Sequence, residues 1–225
     1  MFVRTALLVL RKDFAIELKS FEVLTTTLFF AVSCVLIFAF ALIKDGQPLE
    51  DAAAGILWIA IAFSGTLALG RTFERERYGG TLRALLLAPA PRPALYVGKL
   101  LGMLALMAIA EVVLVPLVAL LFHAALFKSQ LLLAALLIGG TLGFSAVGTL
   151  FAAMLVRARS RDVLLPVLLY PITVPVIIAG VRGTAALLGS PPDTATATMW
   201  IGILAAFDAV FVTLALWTFE PLMTE

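Results

Sequence analysis

The sequence predicts an all-α integral membrane protein with six transmembrane helices, an N-terminal interfacial amphipathic helix and a short cytoplasmic helix between spans 2 and 3. Of its 225 residues, 63% are hydrophobic and only 13% are charged, whereas a soluble domain carries about 25% charged residues. Six apolar runs each approach the roughly 20 residues that a helix needs to cross a bilayer. We place the spans near residues 22–43, 52–70, 97–122, 131–156, 163–181 and 199–219, and treat residues 1–225 as a single transmembrane domain.

Residues 1–20 precede the first span and are amphipathic. Apolar side chains recur at helical spacing, while the charged residues lie largely off this stripe; the stripe consists of Val3, Leu7, Leu10, Phe14 and Leu18. A segment with this many charges cannot span the bilayer. We therefore expect a helix that lies flat at the membrane interface.

The distribution of Lys and Arg predicts the orientation. The N-terminus holds four, the stretch from Arg71 to Lys99 six and the fourth loop three, whereas the first, third and fifth loops hold one each. Basic residues concentrate in cytoplasmic loops. We therefore expect both termini and the even-numbered loops in the cytoplasm.

The second loop, residues 71–96, is the most informative stretch outside the spans. Leu82 and Leu85 follow a helical spacing, Gly79 and Gly80 interrupt the backbone before them, and Thr81 can cap the helix. Such a helix fits a groove on a cytoplasmic partner. The alternative is a solvated basic loop held near anionic lipid by its arginines.

Two spans have unusual composition. In the fourth, Gly139 and Gly143 form a small-residue face, which serves either packing within the subunit or a dimer seam. In the fifth, three prolines must bend or break the helix; they are Pro166, Pro171 and Pro175. A broken span can line a moving pathway or form a short re-entrant pair, and both interpretations stay open.

Two carboxylates lie deep in predicted spans, Glu111 in the third and Asp208 in the sixth. A buried carboxylate in the bilayer is costly, so each should face protein or water. Either they belong to a polar pathway or a partner contact, or they are neutral and hydrogen-bonded to neighbouring helices.

The sequence contains little that supports catalysis. It lacks the G-x-x-x-x-G-K-[ST] loop, so we expect no ATP binding by the chain itself. Its one cysteine, Cys34, and one histidine, His123, form neither a catalytic dyad nor a zinc motif. We predict that the chain is not an enzyme and binds no metal.

Residues 73–82, FERERYGGTL, follow the second span and resemble the loop of an ABC-2-type transporter permease subunit. More narrowly, the sequence resembles the cytochrome c maturation protein B family, also called haem exporter protein B, whose loop carries F-x-x-D-x-x-D-G-S-L. The corresponding positions are Phe73, Glu76, Gly80, Thr81 and Leu82, with Glu and Thr replacing Asp and Ser. Gly79 stands where the family has its second acid, which puts a strictly acidic role there in doubt.

The resemblance implies a permease subunit whose coupling helix contacts a separate ABC ATPase. The implied contact residues are Phe73, Glu74, Glu76, Gly79, Gly80, Thr81, Leu82 and Leu85. ATP and Mg would bind that ATPase, no cofactor would bind this chain directly, and the complex would handle haem. His123 is either a haem ligand or a polar residue at the membrane rim.

The implied partners are the ATPase, a haem-handling membrane subunit, a small accessory membrane subunit and a haem chaperone. Six spans are half of the usual twelve, so a homodimer or a permease partner is implied, along with membrane lipids and no nucleic acid. The implied location is the bacterial cytoplasmic (inner) membrane. Two other hypotheses are a general ABC-2 exporter of a lipid, drug or polymer, and a structural membrane subunit without energy coupling.

Overall fold

The computed structural model describes residues 1–44, 47–49, 52–73, 91–158 and 160–222. Within these ranges lie seven α-helices: α1 Phe2–Ser20, α2 Glu22–Ala41, α3 Ala53–Arg71, α4 Arg92–Leu121, α5 Gln130–Met154, α6 Arg161–Leu188 and α7 Thr194–Leu222. Two-residue strands, β1 Ile43–Lys44 and β2 Gln47–Pro48, pair antiparallel between α2 and α3. Short 3₁₀ turns, Leu126–Ser129 and Leu155–Arg157, flank α5.

Six of these helices, α2 to α7, are long and apolar enough to cross a membrane. The predicted all-α membrane fold with six spans is therefore confirmed. The interfacial position of α1 stays a prediction. The predicted helix within residues 74–90 lies outside the described residues.

Helices α3 and α5 form the most buried part of the bundle, and α2 and α7 lie at its edge. Trp58 of α3 is buried and lies against Gly140 of α5 and Gly180 of α6. Its indole Nε1 donates to Thr184 Oγ1 at 3.0 Å, so the ring's one polar group is satisfied. The two glycines leave space for this ring, and a Cβ at either position would overlap it.

The small-residue face of α5 packs within the subunit. A Cβ on Gly139 would contact Leu204 of α7, and one on Gly143 would meet Asp208 at 2.6 Å. Glycine therefore lets α5 and α7 approach closely. Of the two interpretations of this face, packing inside the subunit is confirmed.

The proline-rich span is one helix. Helix α6 runs without interruption from Arg161 to Leu188 and contains Pro166, Pro171 and Pro175. The predicted break or re-entrant pair is therefore wrong, whereas the predicted bend stays a prediction. Each proline removes only one backbone hydrogen-bond donor. A transmembrane helix that packs against other helices tolerates the loss of single backbone hydrogen bonds.

Helix α1 packs against α4 through small side chains. Ala6 and Val9 are buried, and Val9 lies so close to Gly98 that a Cβ there would approach its side chain to 2.7 Å. Val3 and Leu7, from the apolar stripe, are exposed instead. Leu10 and Phe14 of the stripe are half-buried, so the stripe is only partly exposed, and a neighbouring face of α1 packs against the bundle.

Candidate functional site

The loop expected to contact an ATPase lies between α3, which ends at Arg71, and α4, which begins at Arg92. Of its predicted contact residues, the structure describes Phe73. The others lie outside the described residues: Glu74, Glu76, Gly79, Gly80, Thr81, Leu82 and Leu85. The site that the structure defines is therefore the base of this loop.

Phe73 is the last described residue at the start of the loop. Its side chain is fully buried, and the ammonium of Lys99 lies 5.2 Å from its ring centroid. This distance is within the range of a cation–π contact. The aromatic ring thus holds the start of the loop inside the subunit.

Lys99 joins three helices at this point. Its side chain is only 3% exposed, and Nζ lies 2.9 Å from Asp13 Oδ2 of α1. The same ammonium donates to the backbone oxygen of Thr72 at 2.9 Å, just past the end of α3. The last carbonyls of a helix have no partner within it, so a buried lysine satisfies one of them.

Arg161 provides a second cation at the same helix end. It is the first residue of α6 and only 3% exposed. Its Nη2 donates to the carbonyl oxygens of Leu69 at 3.2 Å and Gly70 at 2.5 Å. Positive charge at a helix C-terminus also interacts favourably with the helix dipole. We call Asp13, Phe73, Lys99 and Arg161 the loop anchor.

The far side of the loop is attached to the bundle as well. Tyr96, in the first turns of α4, is buried, and its hydroxyl donates to the carbonyl of Ala146 on α5 at 3.0 Å. Its ring lies 5.4 Å from that of Phe219, near the end of α7. Both ends of the loop therefore join packed helices.

The two buried acids occupy separate places. Glu111 of α4 is 8% exposed and accepts a hydrogen bond from Thr141 of α5. Asp208 of α7 is 7% exposed and packs against the Gly143 backbone. Thr141 and Gly143 are two residues apart on α5, so they point about 200° away from each other. The structure does not unite the acids in one site.

The hydrogen-bonding of these acids also differs. Glu111 is bonded to a neighbouring helix, as one of the two interpretations expects. Asp208 Oδ1 is buried and receives no hydrogen bond from the described residues. Their involvement in function remains a prediction.

His123 follows the end of α4 and is exposed. Its φ of 51° is left-handed, and the next residue, Ala124, donates its N–H to the carbonyl of Ala119 at 3.2 Å. This bond is typical of a Schellman ending, in which the left-handed residue terminates the helix. Its observed role is therefore in the backbone. Among the residues described, no three His, Cys, Asp or Glu gather as a metal site.

Comparison with known proteins identifies the family. Residues 4–221 match the family described as CcmB protein, which is nearly the whole chain. The chain belongs to the CcmB protein family. The resemblance predicted from residues 73–82 is confirmed.

Several curated relatives carry the name heme exporter protein B. The chain is 34% identical to the one from Paracoccus denitrificans, over 74% of this chain and 76% of the relative. It is 32% identical to that of Rhodobacter capsulatus, over 81% and 83%. It is 28% identical to that of Pseudomonas aeruginosa, over 82% of each chain.

The sequence did not reveal the importance of two residues in this CcmB-family chain. Lys99 and Arg161 entered only the count of cytoplasmic charges, yet both are buried at the end of α3. One signal was present: Lys99 lies seven positions after the first residue of α4, within an apolar run. A cation placed there needs a partner.

Proposed function

We propose that this chain is the permease subunit of an ABC transporter complex that handles haem for cytochrome c maturation in the bacterial inner membrane. Three findings support the proposal: the CcmB family match, relatives named heme exporter protein B and six apolar helices. ATP hydrolysis belongs to a separate ATPase partner in this proposal. The complex handles haem in this proposal, and no cofactor binds this chain directly.

The ATPase would act through residues 73–87, the coupling region. Binding of Mg-ATP closes the ATPase and displaces the loop, and release of a haem-loaded chaperone follows on the outer side. A haem-handling membrane subunit and a small accessory membrane subunit complete the complex. A second permease subunit, either an identical copy or a partner, supplies the other half of the transmembrane domain.

The loop anchor is the observation that favours coupling through this loop. A displaced loop moves the membrane helices only if its base is firmly attached to them. Lys99 of α4 and Arg161 of α6 bind the last carbonyls of α3, and both side chains are buried, where their hydrogen bonds are stronger than in water. Movement of the loop would therefore move α3, α4 and α6 together.

The anchor also changes the expected role of Phe73. Because its ring is buried within the subunit, we assign it to holding the loop and assign the contact with the ATPase to the residues that follow. Leu82 and Leu85 then serve as the apolar side chains that enter a groove on the ATPase. Glu74 and Glu76 meet basic groups beside it.

The proposed orientation places both termini and this loop in the cytoplasm, where ATP is available. Arg77→Cys and Lys128→Cys in a Cys34→Ala background test it. A membrane-impermeant thiol reagent added outside should label position 128 only. Labelling of position 77 from outside would reject the orientation.

The coupling experiment measures binding of the ATPase subunit and stimulation of its activity, with all variants in one mild detergent. Leu82→Ala removes a central apolar anchor, which typically costs about 2 kcal/mol of binding free energy, or roughly 30-fold in affinity. Gly80→Val should weaken binding comparably by restricting the backbone. Arg92→Ala, at the edge of the loop, should change affinity less than about twofold.

Lys99→Met separates binding from coupling. It leaves residues 74–90 intact, so the ATPase should bind normally while its stimulation falls. If Arg92→Ala is the damaging change and Leu82→Ala binds normally, the loop is a basic patch and the coupling proposal is wrong. Failure of the wild-type chain to copurify with any ATPase would support a structural subunit without coupling.

A further inference from the structure

A cleft opens beside the loop anchor, between α1, α2, α3 and α4. Its volume is about 130 Å³, roughly ten times the 10–15 Å³ that one water molecule needs. Charged side chains lie at one end, namely Asp13, Glu17, Arg71 and Lys99. Apolar side chains line the rest, among them Phe14, Phe21, Val23, Met103, Leu106 and Ile109.

The cleft changes from polar to apolar along the direction of α4. Lys99 lies at the polar end, and Met103, Leu106 and Ile109 follow it on the same helix at spacings of three or four residues. Ten residues of helix span about 15 Å. The apolar wall therefore extends from the charged end of the bundle well into the span, and Ile109 is 39% exposed at its far end. This arrangement suits an amphiphile whose tail points into the bilayer.

The polar end has a cation suited to a phosphate. Lys99 is almost fully buried and already bound to Asp13 and Thr72. The side chain of Arg71 is 51% exposed and lies 3.6 Å from Glu22, whose side chain is 63% exposed. An exposed pair of this kind contributes little, and a phosphate at the cleft mouth would add to the partners of the Arg71 guanidinium, which binds phosphate in a bidentate manner.

The neighbouring acids select the rest of the head group. Among the residues that line the cleft, two cations, Arg71 and Lys99, face two carboxylates, Asp13 and Glu17, so the charges of the lining balance. A zwitterionic head group preserves this balance, whereas an anionic head group adds a net negative charge beside the carboxylates. An ammonium would instead be attracted to the exposed carboxylate of Glu22.

We propose that this cleft binds one zwitterionic aminophospholipid from the same leaflet as the loop. Its phosphate binds Arg71, its ammonium faces Glu22, and one acyl chain lies along α4 between Met103 and Ile109. The lipid fills the space between α1 and α4 directly beside the loop anchor. This site is independent of the proposed transport function.

Glycine positions offer a matched pair of variants. A Cβ on Gly102, in the cleft wall, would contact only the end of Leu10 at 3.8 Å, and a Cβ on Gly202 of α7 would meet nothing within 4 Å. Gly102→Leu should therefore fill the cleft without disturbing the core, and Gly202→Leu is its control. Arg71→Gln removes the phosphate ligand, and Arg182→Gln, exposed at the opposite end of the bundle, is its control.

Native mass spectrometry of the purified chain measures binding of added phosphatidylethanolamine and phosphatidylglycerol. We expect one tightly bound phosphatidylethanolamine, with phosphatidylglycerol at least about tenfold weaker. Losing a hydrogen bond to a charged group typically lowers affinity at least about tenfold, so Arg71→Gln should do so, and Gly102→Leu should abolish binding. Both controls should bind like the wild type.

Folding of each variant is checked by circular dichroism and gel filtration, and Gly102→Ala, which adds only the tolerated Cβ, should bind normally. Equal binding of the two lipids would overturn the head-group assignment. Undiminished binding to Gly102→Leu would overturn the site itself. So would copurification of a peptide or free fatty acid in place of phospholipid.

Discussion

Replacing Lys99 with methionine should lower the free energy of unfolding by more than the loss of one exposed charge would. The change removes the ammonium that binds Asp13 and Thr72, both at 2.9 Å. A hydrogen bond involving a charged group contributes about 1.5–3 kcal/mol. Asp13 is 25% exposed, so water recovers part of that loss. Methionine retains the unbranched apolar stem, which keeps the cavity small. We expect the free energy of unfolding to fall by about 2–4 kcal/mol.

The measurement is reversible unfolding in one mild detergent, with the exposed Lys128→Met as the matched control. The control should change the free energy of unfolding by less than about 0.5 kcal/mol. A double-mutant cycle with Asp13→Asn isolates the pair, and we expect a coupling energy of at least about 1 kcal/mol. If Lys99→Met is as stable as Lys128→Met, or if the cycle gives no coupling, the reasoning behind the loop anchor is refuted.

Three further predictions test the packing and the polar groups. Gly98→Val places a Cβ 2.8 Å from a backbone carbonyl of α1. It should release α1 from α4, lower the free energy of unfolding by about 1–3 kcal/mol and make residues 1–20 sensitive to limited proteolysis. An α1 that stays protected from the protease would contradict this packing. Glu111→Gln and Asp208→Asn should fold normally, because an amide keeps hydrogen-bonding capacity without a buried charge. The melting temperature of Asp208→Asn should be no lower than that of the wild type. Loss of function in a well-folded amide variant would instead place that acid in a polar pathway. Two hydrogen bonds donated by Thr196 lower the pKa of Asp193. The stabilisation that this carboxylate provides is therefore present above the usual aspartate pKa and is lost as pH falls through the lowered pKa. Asp193→Ala should lower the melting temperature at neutral pH but not in strong acid, and a pH-independent difference would argue against a role of the ionised carboxylate in holding the start of α7.

Composition and periodicity were sufficient to predict the membrane fold. Six apolar runs correspond in order to α2 through α7 because the bilayer requires long apolar helices. The family could be predicted from ten residues after the second span, since their pattern is specific. Glycine spacing showed where helices approach closely, but it could not distinguish α7 of the same subunit from a second copy.

The continuity of α6 could not be predicted in this way. Pro166, Pro171 and Pro175 each remove a donor, and a local rule therefore expects a bend or break. The observed helix depends on its surroundings: its N-terminal Arg161 is bonded to α3, and Thr184 bonds Trp58 near its other end. These partners are 91 to 126 residues away in sequence. No short window of sequence contains that information.

The same limitation explains why the loop anchor was missed, and it indicates how such sites can be found. A helix that ends at the cytoplasmic face leaves its last carbonyls without partners, and cytoplasmic segments are also where Lys and Arg concentrate. A cation inside a predicted helix, such as Lys99, cannot be solvated there as easily as one in a loop. It therefore has to bind a carboxylate or a helix end, and in this chain it binds both. Cations counted only for orientation thus include residues that join the helices. The position of Lys99 inside a predicted span marks it as one of them, whereas Arg161 lies in a predicted loop and could be recognised only from its contacts with α3.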